Sequence, residues 1–313
     1  MILTRTPLRI SFVGGGSDRP SFYQEEPGAC VAAAIDKYVY VAVNEKYDGS
    51  IRAAYSVTEN VTTLAHLEHE LIREGLRMMH VDHGIEIHSI ADIPGGTGLG
   101  SSSSFTVGLM NAFHAQRGEV KPPTWLASEA CAIELGACNK PIGKQDQYTA
   151  AYGGLNLLGF TERGVNVHPI HTDMDALSAH CLLLDTGLAR VGDAGAVLAS
   201  QKQDRDDVRV LAAIAREFAD ALSNGYLSVC GHLMKDAWLI KSKFIASRWL
   251  DAHYQAALDA GAWGGKLCGA GGGGFLLFLA PPDRHAAIIA ALGLRHVPIR
   301  VGVGGSEVVW QGR

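Results

Sequence analysis

The chain has 313 residues, of which 47% are hydrophobic and 19% charged, with 37 glycines. That length allows two domains or one large one, and the composition is globular, with many close backbone approaches. A net charge of -5 with no basic run excludes a nucleic-acid binder, which needs clustered Lys and Arg.

The opening Met1-Ile2-Leu3-Thr4-Arg5-Thr6 has no signal-peptide hydrophobic region, and no apolar run reaches transmembrane length. Cys30, Cys131, Cys138, Cys181, Cys230 and Cys268 show no CxxC or zinc spacing and read as core residues of a reducing compartment. A cytoplasmic protein with no membrane partner is expected. Its state, monomer or homodimer, stays open.

Leu8 to Val13 reads as a strand that carries Arg9 and ends in Gly14-Gly15-Gly16-Ser17-Asp18-Arg19. A strand-face arginine is ordinarily a surface residue, but one aimed at a sheet end neutralises phosphate or a developing alkoxide. Asp18 suits a helix cap before Pro20 as well as a hydrogen bond to a polyol. Tyr38 to Val43 reads as a second strand, and Asn60 to His80 as a helix capped by Asn60, from leucines at 64, 67, 71 and 76.

After a strand around Ile85, Ile87 and Ile90 comes Pro94-Gly95-Gly96-Thr97-Gly98-Leu99-Gly100-Ser101-Ser102-Ser103-Ser104, and a helical pattern follows at once from Phe105. Glycines allow a backbone to close on an anion, and a helix N-terminus supplies unpaired N–H groups and a positive dipole end. The serines can cap the helix, bond phosphate oxygens or join the shell of a magnesium ion. A Gly/Ser linker would have the same composition, but linkers do not sit between patterned apolar elements. The loop is neither a P-loop, since no Gly-Lys-Ser/Thr ending occurs, nor a dinucleotide fingerprint.

Thr124 to Leu135 reads as a helix ending near Glu134, and Asp146 lies in the polar cluster Gly143-Lys144-Gln145-Asp146-Gln147-Tyr148. Phosphoryl transfer needs one carboxylate on magnesium and one beside the attacking hydroxyl. On spacing alone Glu134 reads first as a solvated surface charge, whereas Asp146 reads equally as a surface charge and a functional carboxylate. Leu155 to Phe160 reads as a strand, and a domain boundary is placed near residue 170.

The second half offers a strand over Cys181 to Leu184 and helices over Asp204 to Leu222, Leu227 to Ser247 and Arg248 to Ala260. Gly264-Gly265-Lys266-Leu267-Cys268-Gly269-Ala270-Gly271-Gly272-Gly273-Gly274 then precedes an apolar strand, Phe275 to Leu279. So many glycines carry an entropic cost, and either a strand or a ligand must pass close to that backbone. A helix over Pro282 to Leu292 and a strand around Ile299 to Val303 end the chain. Without a regular βαβ alternation, the expected class is α+β with mostly antiparallel sheets.

Pro7-Leu8-Arg9, the Pro94 to Ser104 loop and Lys266 to Gly274, in that order, make the chain resemble the GHMP kinases, small-molecule kinases that include galactokinase and mevalonate kinase. The resemblance implies a two-domain fold, residues 1–170 and 171–313, with a cleft between them. It implies ATP phosphates on Pro94 to Ser104, and magnesium on Ser102 and Glu134. It also implies a catalytic Asp146 supported by Arg9.

Gly14-Gly15-Gly16-Ser17-Asp18, Ala34-Ile35-Asp36-Lys37-Tyr38-Val39 and Gly143-Lys144-Gln145-Asp146-Gln147-Tyr148 are similar to the branch of D-glycero-D-manno-heptose 7-phosphate kinases. Those enzymes phosphorylate the anomeric hydroxyl on the way to GDP-heptose and bacterial surface polysaccharide such as capsule. Ser103-Ser104 and Arg19 depart from the usual pattern of that branch. The implied sugar site comprises Gly14, Gly15, Gly16, Ser17, Asp18, Arg19, Lys144, Asp146, Gly271 and Gly272, with Arg19, Lys144, Lys202 and Lys241 as candidates for a sugar phosphate. Fucose or another unphosphorylated sugar, and a non-catalytic ATP- and sugar-binding regulator, are the alternatives.

Overall fold

The computed structural model describes residues 1–188, 204–245, 247–269 and 271–312. Two sheets, both largely antiparallel, carry the architecture. Strand β1 (Ile2–Val13) pairs along almost its full length with β2 (Gly28–Glu45), which is long enough to hold two further partners. The N-terminal half of β2 pairs with β6 (Leu155–Thr161), and its C-terminal half with β5 (Ile85–Ala91).

Strands β3 (Ile51–Ala54), β4 (Thr58–Val61) and β7 (Gly164–Pro169) extend that sheet, with β3 lying parallel to β5. The second sheet is built from β8 (Cys181–Asp185), β9 (Gly264–Leu267), β10 (Phe275–Leu279) and β11 (Arg295–His296), in the order β11-β8-β10-β9.

The apolar run of β10 is explained by its two buried faces. Leu277 and Leu279 join the main core, while Leu276 and Phe278 join a smaller cluster on the other side. The main core spans both halves of the chain. In it, Phe12 of β1 packs at 5.3 Å from Phe218 of α7 (Arg205–Ser223). Helix α3 (Ser101–Gln116) is buried continuously from Ser103 to Ala115, which is why its residues are apolar or small all round rather than on one stripe.

The remaining helices are α1 (Pro20–Tyr23), α2 (Glu70–Met78), α4 (Pro123–Cys131), α5 (Gln145–Tyr152), α6 (Met174–His180), α8 (Leu227–Lys241), α9 (Arg248–Asp259) and α10 (His285–Leu292). No described helix is long and apolar enough to cross a membrane.

Two expectations change. Asn60 lies in β4 opposite Arg52, and α2 begins ten residues later, with His69 accepting from Ile72 N–H at 3.3 Å. The leucine period there is genuine, but Leu64 belongs to a separate 3-10 turn and Leu67 to the link that follows. The closing strand is not Ile299 to Val303, which makes only an isolated bridge from Val301 to Ile35. It is β12 (Glu307–Gln311), which returns to the first sheet and pairs with β1.

Candidate active site

The Pro94 to Ser104 segment links β5 to α3. Gly96, Gly98 and Gly100 all have positive φ, at 81, 84 and 76°. The left-handed Gly100 starts α3 with no side-chain cap on its first amides, so those N–H groups are left to a ligand or water. Leu99 and Ser104 are fully buried, and the Ser104 hydroxyl donates to Pro7 O at 2.7 Å. Both side chains anchor the loop to the core, and Ser104 N–H already donates to Gly100 O at 2.9 Å.

Arg9 ties the loop to Asp146. Its Nε and Nη2 donate to the two carboxylate oxygens of Asp146, both at 2.6 Å, and its Nη1 donates to Gly98 O at 2.7 Å. Arg9 N–H also donates to Leu99 O at 3.0 Å. Burial works against the Arg9 charge, but Asp146 outweighs it and holds the guanidinium above its ordinary range. The Asp146 side chain keeps 23% exposure against 5% for Arg9, so the carboxylate faces the open side of the pair.

Glu134 is fully buried in a π-helical stretch, Ala132–Ala137, that continues α4. Such wide turns commonly re-aim one side chain at functional sites. Here Glu134 accepts from the Ser102 hydroxyl and from Gln147 Nε2, the latter at 2.6 Å. Burial pushes its carboxyl upward, partly offset by bonds from Ser102, Ser103 and Gln147. A charge with no solvent is costly, so burial favours the neutral form of this carboxyl. Gln147 Oε1, buried and without a partner among the described residues, lies on the same amide.

The glycine turn after β1 forms the next wall. Asp18 is 3% exposed and accepts from Gly16 N–H at 2.9 Å and Gln145 N–H at 3.3 Å. Burial raises its pKa, and the nearby Asp146 adds to the push. Ser17 is fully buried, with its hydroxyl bonded to Gly14 and Ala29, so its side chain serves the turn instead of a ligand. Gly14 packs against Ala29 and Cys30, another structural contact.

Gly15 and Gly16 remain partly exposed on the turn. Arg19 precedes α1, and Lys144 lies with its ammonium 4.7 Å from the Tyr23 ring. Lys202 is outside the described residues.

What passes close to the second glycine run is the first. A Cβ on Gly98 would stand 2.5 Å from Cys268 O, and one on Gly274 would stand 2.1 Å from Thr97 O. Gly271 backs onto Ile245, and Gly272 is exposed. Behind this junction Lys241 donates to Gly269 O at 2.7 Å.

Sequence reasoning missed a cavity of about 750 Å³ that opens beside Gly95, Gly96, Ser101 and Ser102 and runs between Tyr55, His69 and Phe105 to Lys140. Its lining comes from five separate segments, so no contiguous motif could mark it. It also missed Gln147 and Lys266, which lie inside motifs without a distinctive spacing.

The family descriptions for the GHMP kinase N-terminal and C-terminal domains match residues 60–154 and 210–297. The chain belongs to the GHMP kinases. It is 27% identical to the D-glycero-alpha-D-manno-heptose 7-phosphate kinase of Campylobacter jejuni, with 93% of each chain covered. It is also 27% identical to the mevalonate kinase of Methanothermobacter thermautotrophicus, over 80% of this chain and 83% of that one.

The crystal structure of a D-glycero-D-manno-heptose 1-phosphate kinase from Bacteroides thetaiotaomicron matches over 100% of both chains, with a TM-score of 0.83 and 24% identity. This GHMP kinase therefore has the two-domain α+β fold that its motifs imply, and ATP is the phosphoryl donor of its class.

Proposed function

We propose that this sugar kinase phosphorylates the anomeric hydroxyl of D-glycero-D-manno-heptose 7-phosphate. The observation that carries the reading is the three-way link of Arg9 to Asp146 and to Gly98 O. It fastens an acceptor-facing carboxylate to the loop that holds the donor phosphates, and so sets the distance between the two reactants. The heptose branch is favoured because a named heptose 7-phosphate kinase matches the chain almost end to end.

In this reading the nucleoside occupies the cavity beside Tyr55 and His69, and its phosphates lie on the amides of Gly96 to Ser102. Ser102 Oγ and the Glu134 carboxylate, both hard oxygen donors, suit magnesium and would hold it. The ion supplies charge neutralisation on the donor phosphates. Asp18, with Gly15 and Gly16 beside it, orients the sugar hydroxyls, and Lys144 and Arg19 flank them.

Asp146 accepts the hydrogen bond of the attacking hydroxyl and aligns its oxygen on the γ-phosphorus. As the new oxygen–phosphorus bond forms, the bond to the bridging oxygen of ADP breaks and the hydroxyl proton passes to Asp146. Arg9 fixes the Asp146 carboxylate through its two bonds and offsets the charge spread over the transferred group. A cytoplasmic place in GDP-heptose and capsule synthesis follows from that product.

The test is ADP release with ATP and magnesium against the heptose 7-phosphate, fucose, galactose and mannose in parallel. Turnover confined to the heptose phosphate is expected. Turnover with an unphosphorylated sugar alone would keep the kinase and overturn the substrate. Silence across the panel would favour a regulator that binds ATP and sugar.

A further inference from the structure

Lys266 stands in β9 with 7% exposure. Its backbone pairs with β10 opposite Leu277, but its ammonium makes no hydrogen bond or ion pair among the described residues. Its surroundings are charged all the same. Cys268, Arg9, Cys30 and Asp18 act on it, and Lys266 in turn acts on Lys241 at the end of α8.

The charges in this corner do not balance. Arg9 is matched by Asp146 through two short bonds. Among the described residues, Asp18 is then the carboxylate left to act on both ammonium groups, and it already accepts from the amides of Gly16 and Gln145. The thiols of Cys30 and Cys268 add no counter-charge, because burial pushes both upward. Burial depresses Lys266, and burial together with Lys266 brings Lys241 down to about 7. An unmatched buried ammonium is expensive, and an anionic oxygen removes that cost.

Position says which anion. The carbonyl of Cys268, two residues beyond Lys266, lies against Gly98 of the phosphate loop. Lys241 bonds Gly269 O on the same junction. Lys241 thus touches, and Lys266 closely precedes, the glycine run that packs on the phosphate loop.

We propose that Lys266, backed by Lys241, is a phosphoryl-binding ammonium that faces the phosphate loop across the reaction centre. Two groups supply that chemistry: the phosphoryl in transfer and a phosphate carried by the acceptor. The inference rests on the kinase reading for the place of the reaction, but its first test uses no sugar.

The enzyme is saturated with MgADP, so that the loop is filled, and inorganic phosphate is titrated by calorimetry. Wild-type protein is expected to bind phosphate saturably. Lys266→Met should weaken that binding by about 10- to 100-fold, the size of a charge-assisted hydrogen bond, while Lys266→Arg retains most of it. Lys241→Met is the second variant should Lys266→Met fail to fold, and it too should weaken phosphate. Absence of phosphate binding in wild type, or equal binding by wild type and folded Lys266→Met, overturns the assignment.

Steady-state kinetics with Lys266→Met then separates the two sources. A fall in kcat with every accepted sugar assigns Lys266 to the transferred group. A rise in KM confined to phosphorylated acceptors assigns it to the acceptor's own phosphate. No change in either parameter overturns both. Failure of the whole sugar panel would count against the heptose reading and leave the MgADP titration to decide Lys266.

Discussion

Gly143 and Asp18 are fitted to each other so closely that a Cβ on Gly143 would stand 1.8 Å from Asp18 Oδ2. The glycine turn after β1 and the segment leading into α5 are thus locked together. The same segment donates Gln145 N–H to that carboxylate at 3.3 Å. Gly143→Ala has to expel the Asp18 side chain from its amide bonds. Overpacking of this kind costs about 1–3 kcal/mol. We expect a lower melting temperature and an acceptor KM raised about tenfold or more, the cost of one lost bond to a charged group, with ATP affinity preserved. Unchanged acceptor KM would remove Asp18 from the sugar site.

Asp146→Asn keeps the shape of the side chain and removes the charge that Arg9 grips. Turnover is expected to fall by about 10²- to 10⁴-fold, the range for losing a positioned acid or base. Sugar and nucleotide binding by calorimetry should persist. Near-wild-type turnover would exclude Asp146 from the chemistry.

Glu134→Gln separates a metal role from a folding role by the sign of its effect. Burial raises the Glu134 pKa in the fold. The native protein therefore holds that proton more tightly than the unfolded chain, and stability from this group declines as pH rises above the ordinary carboxylate range. A glutamine carries no charge, accepts from Ser102 in the same way, and can donate to Gln147 Oε1 once that amide turns over, an atom with no partner now among the described residues. Without ligand at pH 7 the variant should be more stable, by about 1–3 kcal/mol, the order of a buried group's uncompensated desolvation. The gain should shrink as pH is lowered toward 4. Stabilisation by MgATP should be lost. A variant less stable than wild type at pH 7 would show that the carboxylate serves the fold.

Gly96 and Gly98 make a matched pair for the loop. Both have positive φ, but a Cβ on Gly96 meets open space, whereas one on Gly98 meets Cys268 O at 2.5 Å. Gly96→Ala should cost only the backbone strain of about 1–2 kcal/mol. Gly98→Ala adds the collision with the second glycine run, and should lower the melting temperature further while raising the KM for ATP. Equal effects would mean that the two runs separate freely.

The parts of the site that were legible in the sequence are the ones where chemistry depends on neighbours in the chain. Alternating glycines before a serine-rich helix start announce a phosphate loop, because amides, dipole and hydroxyls all come from consecutive residues. Arg9 and Asp146 were named from motif resemblance, yet no spacing rule joins residues 137 apart. Glu134 was ambiguous for a similar reason: a lone carboxylate late in an apolar helix looks solvated until a π-helical turn points it at Ser102.

By itself, then, the sequence determined the local elements whose causes are local. These include the apolar run of β10, the left-handed turns at Gly96, Gly98 and Gly100, the helix behind them and the family to which they belong. Tertiary structure alone decided that the second glycine run packs on the first, that β12 comes back to β1, and that the Lys266 ammonium is buried with no ion pair among the described residues. Those outcomes depend on which surfaces meet across long stretches of chain, through steric fit and unbalanced charge, and neither quantity is written in the order of the residues.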